Sequence, residues 1–541
     1  MSKVARHEPA DALQRVIDLV RTRVPRERRT ETERFVNQYY AQVDPEDLAE
    51  RSPEDLYGAA LSHLAFGRKR EPGKPRIHAI NPGVDEHGWQ SGHTVVEIVN
   101  DDMPFLVDSV TMAVNRRGLT LHLLIHPILR VTRDPNGELL ALLKPGASEG
   151  AAESFMHVEV DRIADAADLE ALCAELAATL ADVRVAVEDW LKMKARLDAA
   201  LAEIESRPPP IAPADFAEAV AFLKWLGDNH FTFVGYRCYD LVTGEGGEAL
   251  RPVPESGLGV LRGARDTQQS ASFAALPPAV RALAREPVLL IVTKSNSRSS
   301  VHRPGYLDYV GVQRFDASGA VCGEHRFLGL FTSAAYMASP VEIPLLRRKV
   351  TEVIRRAGLA SASHAGKALN NVLATYPRDE LFQISADELL QTATRILQLG
   401  ERQRFRLFVR RDLYQRFVSC LMYVPRENYS TEVRLRWQRI LTDTFQGVST
   451  DYSVFVSDSV LIRVLITVRT GTGGIPDYDE DDLEARLAAA ARRWQDDLNE
   501  ALIDTAGESR GTHLYRVFGQ AFPAGYREEH TARSAVADIE M

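Results

Sequence analysis

Cysteine is scarce in this chain. Cys173, Cys238, Cys322 and Cys420 are the four among 541 residues, they stand far apart, and none belongs to a CxxC pair. That spacing indicates neither a zinc site nor a disulfide framework, and no metal ligand set is read from the sequence. Long apolar runs are missing too: none reaches the ~18 residues that a membrane helix needs. The opening, MSKVARHEPADALQRVIDLV, lacks the apolar core of a signal peptide. Nor is there an excess of positive charge, since the formal balance is −10. That argues against nucleic acid as the main partner. These absences describe a reduced, soluble, cytoplasmic protein with no membrane and no nucleic-acid partner.

The familiar catalytic signatures are also wanting. Gly257-Leu258-Gly259 with Gly263 departs from the dinucleotide fingerprint, because the third glycine comes one place late and no strand-then-helix pattern frames it. Gly471-Thr472-Gly473-Gly474 is followed by no Lys-Ser/Thr, so it is a turn and not a phosphate loop. The acids from Asp477 to Asp482 would need glycine and glutamate at the sixth and twelfth places of a calcium loop, where Asp482 and Ala488 stand. Ahead of a helix they complement its dipole instead. The stretch 295–303, SNSRSSVHR, has no strained nucleophile turn of the GxSxG kind. Its Arg298, His302 and Arg303 suit either an anion or carboxylate site, arginine pairing with carboxylate through two parallel bonds, or a loop at a domain interface. No catalytic residue and no cofactor-binding residue is assigned.

What the chain does have is length and patterned apolar content. Its 541 residues, 45% hydrophobic, suit three or four domains of about 150 residues each. Residues 1–92 form an N-terminal helical segment, with Leu13, Val16, Ile17 and Val20 on one stripe and Phe35, Tyr39 and Tyr40 packing a second helix; Glu71–Gly92 is a connection. The arginines from Arg21 to Arg29 suit a solvated helix end or subunit contact, or a nucleic-acid arm. Val95–Val131 organises the reading: an apolar strand, a polar corner at Asn100-Asp101-Asp102, a helix carrying Phe105, Leu106, Ser109, Val110, Ala113 and Val114, then Leu119–Val131 as a returning strand. Asp101 or Asp102 suits the N-cap, Pro104 the first turn and Gly118 the stop.

Further on, Asp134–Gly137 turns the chain, Phe155–Val160 is a strand and Ala164–Leu180 a helix. Arg207-Pro208-Pro209-Pro210 closes the linker 182–212. Residues 213–333 combine a leading helix with strands, apart from a loop at Gly244–Gly263. Gly235, Gly311, Gly323 and Gly329 inside those strands predict bulges or curvature. Residues 334–403 are a helical connector with a capping box at Ser385–Glu388. Residues 404–470 return to strand–helix–strand, and 471–541 contain one long helix, Asp481–Ile503, and a tail. The arginines Arg404, Arg406, Arg410, Arg411 and Arg416 crowd two strands. They meet acids of the same molecule or, in the bolder alternative, RNA, with Phe405, Phe408 and Phe417 either stacking or in the core.

The strand–Asp-x-Pro–helix–Gly–strand order resembles an ACT domain, a βαββαβ amino-acid-sensing module. The wording DDMPFLVDSV is similar to the N-terminal region of the large bacterial NAD-specific glutamate dehydrogenases. So are FLKWLGDNHFTFVGYR (222–237), TKSNSRSSVHRPGYLDYVGV (293–312), EHRFLGLFTSAAY (324–336), YPRDELFQIS (376–385), RLFVRRDLYQRFVSCLMYVPRENY (406–429) and QAFPAGYREEH (520–530). The resemblance runs from about residue 30 onward. It implies an α+β multidomain chain: two ACT-like units, 93–181 and 404–470, flank a PAS-like antiparallel-sheet domain, 213–333, joined by helical connectors.

It further implies a regulatory or assembly segment whose catalytic domain, with the NAD site, lies beyond residue 541. The family converts L-glutamate, NAD+ and water to 2-oxoglutarate, ammonium and NADH. The implied partners are that catalytic domain, further copies in a homo-oligomer and an amino-acid effector. ACT domains that bind amino acids commonly have glycine where this chain has Phe105, letting ligand approach backbone N–H groups. Phe105 should fill that space and make the corner an interface, while Asn100, Asp101 and Asp102 remain the candidates for an effector's ammonium. The rival expectation is a stand-alone amino-acid sensor. The reading frame past residue 541 separates the two.

Overall fold

A computed structural model describes residues 9–244, 247–263, 288–400, 402–471 and 474–541. Thr472 and Gly473, which figured in the sequence reading, lie outside them.

The first sheet contains β1 (Arg76–Ile80), β2 (Thr94–Asp101), β3 (Leu121–Ile125), β4 (Ile128–Arg133), β5 (Leu139–Leu142) and β6 (Ala151–Val160), with β1 at one edge, β2 and β6 next to it in that order, and both β3 and β4 on the far side of β6. Alternation along β2 sends Val95 and Val99 to one face, Val96 and Ile98 to the other. Both faces are covered, which is why the strand reads as an apolar run. On one side Val99, Leu129 and Phe155 pack with Val16, Val20, Phe35 and Tyr39 of the helices Pro9–Arg23 and Arg26–Tyr39. On the other, Val96, Ile98 and Val158 pack with Val110 and Val114 of helix Leu106–Arg116 and Leu172 and Leu176 of helix Ala166–Glu188.

Three local expectations change. Glu71–Gly92 is not only a connection: it supplies β1, antiparallel to β2, and the short helix Val84–His87. Leu119–Val131 is two strands, because Pro127 has no N–H to give the ladder and the chain bends there. The helix after the corner is capped by Phe105, at φ 73, and not by Asp101 or Asp102; it begins at Leu106, so Pro104 lies ahead of it. Gly118, at φ 74, does end that helix in the left-handed conformation.

The middle sheet contains β7 (Phe231–Gly244), β8 (Gly247–Pro252), β9 (Leu258–Gly259), β10 (Leu290–Arg298), β11 (Tyr306–Phe315) and β12 (Val321–Phe331), all antiparallel, in the order β10-β11-β12-β7-β8 with β9 beside β7. The expected loop at Gly244–Gly263 is strand in part, since β8 folds back on β7 and β9 pairs with it, while 253–257 and 260–263 remain loop. Register shifts fall beside Gly235 and Gly329, and beside Gly323, whereas Gly311 sits in an unbroken ladder. Helices Trp190–Ser206 and Pro213–Trp225 cover one face through Met193, Leu197, Phe222 and Leu223. Val234, Leu328 and Leu330 on the other face join the core of the first sheet.

The third sheet contains β13 (Arg406–Arg411), β14 (Phe417–Pro425), β15 (Gly447–Phe455) and β16 (Leu461–Thr470), in the order β13-β14-β16-β15. Its topology is a shorter form of the first: in both an upstream strand takes one edge and a strand and helix follow, but two strands precede the second helix here where the first sheet has four. Helices Thr431–Phe445 and Glu480–Ala490 cover one face with Trp437, Phe445, Leu483 and Leu487. Helices Leu346–Ala357, His364–Thr375 and Ala386–Leu399 cover Phe408 and Leu421 on the other. The capping box at Ser385 and Glu388 is present. The long helix expected over Asp481–Ile503 is two, Glu480–Ala490 and Trp494–Ala506, because their apolar residues serve different cores.

Candidate functional site

The corner after β2 is held by charge. The Asp101 carboxylate receives Arg70 at 2.5 Å and Arg184 at 2.7 Å, and Arg184 also donates to Asn100 Oδ1 at 2.9 Å. Burial would raise the Asp101 carboxyl; the two guanidiniums outweigh it and lower it. The backbone N–H of Asp102 donates to Ala152 at 3.0 Å. These bonds leave the capping place to Phe105, whose ring lies 4.8 Å from that of His302.

His302 comes from the loop after β10, so the structure brings together two stretches nearly 200 residues apart. The loop docks by its backbone and by side chains. His302 N–H donates to the buried Ser109 hydroxyl at 3.0 Å, and its Nδ1 lies 3.0 Å from Asp108. Val301 is fully buried in the shared core, and Ser300 donates to Asp182 at 2.7 Å. Between loop and helix lies a cleft of about 640 Å³, lined among others by Asp108, Asn115, Arg116 and Arg298. The two loop arginines diverge. Arg298 reaches Asp451 of β15 at 2.6 Å, whereas Arg303 turns inward to the Phe331 carbonyl at 2.7 Å and over the Tyr336 ring.

Other buried polar contacts join the successive parts. Asp189, between two helices, accepts the Gly259 N–H at 2.9 Å and pairs with Arg262 at 2.6 Å and Lys192 at 3.0 Å. Burial would raise its carboxyl, yet these donors bring it to about 2. Gly259 is required there: its φ is +60 and a Cβ would stand 2.1 Å from the Val234 carbonyl oxygen. Lys294 of β10 pairs with Asp308 at 2.5 Å and reaches Asp379 of the helical connector at 3.0 Å. Burial alone would lower the Lys294 ammonium; the two carboxylates outweigh it and hold it charged. Glu380 takes Arg410 through two bonds, 2.6 and 2.9 Å, and Ser419 at 2.7 Å. The strand arginines thus meet acids of the same chain: Arg406 pairs with Glu484 and Arg416 with Asp412. Phe417 is buried, and Phe405 and Phe408 pack into the two cores beside the third sheet.

Sequence reasoning missed Asp189, Lys294 and Glu380. It also missed a buried row in the first sheet, where His78, Glu97 and His157 are cross-strand neighbours and His63 lies above them. A signal existed for the row: charged or imidazole residues at inward places of apolar strands, in VVEIV and FMHVEV. Among the described residues, His63, Glu97 and His157 are the group whose spacing suits a metal ion. Burial holds the His63 imidazolium down to about 4.

The comparisons agree with this architecture. The glutamate dehydrogenase ACT1 domain matches residues 35–176, helical motif 1 matches 343–402, the ACT2 domain 406–495 and helical motif 2 501–541. The NAD-specific glutamate dehydrogenase of Halomonas elongata is 40% identical over 544 residues, covering 100% of this chain and 34% of the relative. That of Pseudomonas aeruginosa is 40% identical over 94% of this chain and 31% of the relative, and that of Mycobacterium tuberculosis 31% identical over 90% and 30%. The chain therefore spans about a third of the length of the curated relatives it matches. No described helix is long and apolar enough to cross a membrane. In four successive segments, the chain carries the ACT and helical domains of the glutamate dehydrogenase family.

Proposed function

We propose that the chain is the N-terminal regulatory and assembly segment of a cytoplasmic NAD-specific glutamate dehydrogenase, with hydride transfer and NAD binding carried out by a catalytic domain outside these residues. One observation carries the reading. Each unit is fastened to the next by buried or half-buried polar contacts: the His302 N–H with the Ser109 hydroxyl, Asp189 with Gly259, Lys294 with Asp379, and Glu380 with Arg410. Such contacts fix relative orientation, since breaking a buried pair leaves an uncompensated charge. A displacement at one unit would pass through them to the others.

Within this reading the units are 93–181, 213–333 and 404–470, and the middle one is PAS-like. Support for the last point is its single bent antiparallel sheet behind the leading helix Pro213–Trp225. Assembly into a homo-oligomer is supported by β15, an edge strand with exposed Val448, Tyr452 and Phe455. The purified chain, assayed for glutamate-dependent NADH formation, should show none. Turnover that tracks the pure protein would overturn the assignment. An amino-acid effector is the rival use of the corner; calorimetric titration of the chain with a panel of amino acids decides it, and binding abolished by Asp102→Ala would favour a sensor.

A further inference from the structure

We infer that His63, Glu97 and His157 form a binding site for a divalent transition-metal ion of the zinc class, buried between the N-terminal helices and the first sheet. One ligating atom from each residue lies within 4.8 Å of the others, and the three residues are 0%, 0% and 1% exposed. Two imidazoles and a carboxylate are a donor set that zinc takes in tetrahedral sites, a fourth position being left for water.

The hydrogen bonds around the three residues argue for a cation more strongly than their proximity does. His157 Nε2 lies 3.3 Å from Glu159 Oε1, and a carboxylate only accepts, so the proton sits on Nε2. That leaves Nδ1 as a bare lone pair, and it has no hydrogen-bond partner among the described residues. His78 Nε2 engages Glu97 Oε2 at 2.8 Å, and Glu97 Oε1 likewise has no partner among the described residues. His63 Nε2 faces the Ile98 carbonyl at 3.2 Å, so it too carries the proton; its Nδ1 lone pair meets the Tyr39 hydroxyl at 3.0 Å.

Glu97 and His157 are thus each oriented from behind by a bond at the other end and present an unpartnered acceptor, while His63 Nδ1 accepts from the Tyr39 hydroxyl and would exchange that bond for the metal. A carboxylate or carbonyl behind each histidine is the second-shell pattern of metal-bound imidazole. Acceptors facing one another without hydrogens repel. A buried acceptor left unsatisfied loses its hydration with nothing in return, and here there are two. One cation would satisfy both. The surroundings are acidic: Glu97 and Glu159 are both buried, with Arg51 and His93 at 3.1 Å from Glu159 and His78 at 2.8 Å from Glu97 as their other partners.

The test uses the full chain. Protein purified without chelator is analysed for metal, then stripped and titrated with Zn2+ and with Co2+. We expect one ion per chain, visible Co2+ d–d bands and a higher melting temperature with Zn2+ than after EDTA. Trp89, whose ring is 6.4 Å from that of His157, reports locally: bound Co2+ should quench its fluorescence, and Trp89→Phe should lose the quenched fraction. Glu97→Gln and His157→Gln should each abolish stoichiometric binding. Because those variants could fail to fold, the wild-type titration stands alone. Absence of stoichiometric metal, of Co2+ bands and of Trp89 quenching in the folded wild type would overturn the inference and leave a bridging water as the occupant. Binding that survives both substitutions would overturn it equally.

Discussion

Phe105 holds a conformation that glycine adopts at no cost, and that makes its replacement informative. At φ 73 it caps helix Leu106–Arg116 from the left-handed region. For a residue with a Cβ that region costs roughly 1–2 kcal/mol. The side chain must return at least as much. Full burial of a phenylalanine stabilises by roughly 1.5–3 kcal/mol; this ring is partly buried, against His302 and the shared core, so about 1–2 kcal/mol is the fitting share. Phe105→Ala removes the packing and keeps the strain, and should destabilise by about 1–2 kcal/mol. Phe105→Gly removes the packing and the strain together, and should come within about 1 kcal/mol of wild type. The smaller residue should therefore be the milder change. Urea denaturation with unchanged m-values measures both, and hydrogen exchange in loop 299–303 should quicken in each. Alanine equal to or milder than glycine would refute the reasoning, because the left-handed strain would then not be borne at Phe105.

Three further outcomes follow from the buried polar contacts and the open edge. Asp189 has a carboxyl lowered to about 2 from 3.8. Its contribution is present above pH 3.8 and is lost as pH falls through about 2, so Asp189→Asn should cost about 2 kcal/mol at neutral pH and flatten the acid limb of a stability–pH profile in that window. Lys349 donates to the carbonyls of Leu381, Phe382 and Ile384 at 2.8, 3.1 and 2.6 Å, at the end of helix Arg378–Gln383. Lys349→Met should destabilise by roughly 2–4 kcal/mol, one unsatisfied carbonyl costing about 1–3, and a thermal melt matching wild type would contradict this. On β15, Phe455→Lys should lower self-association in sedimentation velocity while leaving the melting temperature within a few degrees; an unchanged sedimentation coefficient would remove that edge from the assembly surface.

How much of this could be read in advance depended on how local the cause was. Helices with a full stripe and cap, such as Ala386–Leu399 after Ser385, were legible because each signal lies within a few residues. The break between Ala490 and Trp494 was not, since Leu483 and Leu498 keep helical spacing and only their separate cores part them. Phe105 as a cap was hidden for a related reason: Asp101 is the better capping residue by type, but Arg70 and Arg184, distant in sequence, take its carboxylate. Asn100–Phe105 and Arg298–Arg303 could each be singled out from composition. That His302 lies on Phe105, while Arg298 and Arg303 part to different partners, depends on docking that no short window contains. Glu97 was visible as a charge in an apolar strand, yet its meaning needed His63 and His157 beside it.

The place of β1 and β13 bears on the order in which the chain folds as it is made. In the first and third sheets the edge strand precedes the strand it pairs with, and the pairing partners are complete by Val160 and Thr470. Each can form behind the ribosome from residues already released. The middle sheet is different: β7 has β12 as a neighbour, and Phe231 pairs with Phe331 across a hundred residues. Until that last strand emerges, one edge of β7 has only solvent to bond. Long-range pairing is slow and leaves apolar strands open to misassembly. The first unit, already folded, offers the core that receives Val234, Leu328 and Leu330. It would serve the middle sheet as a template during synthesis.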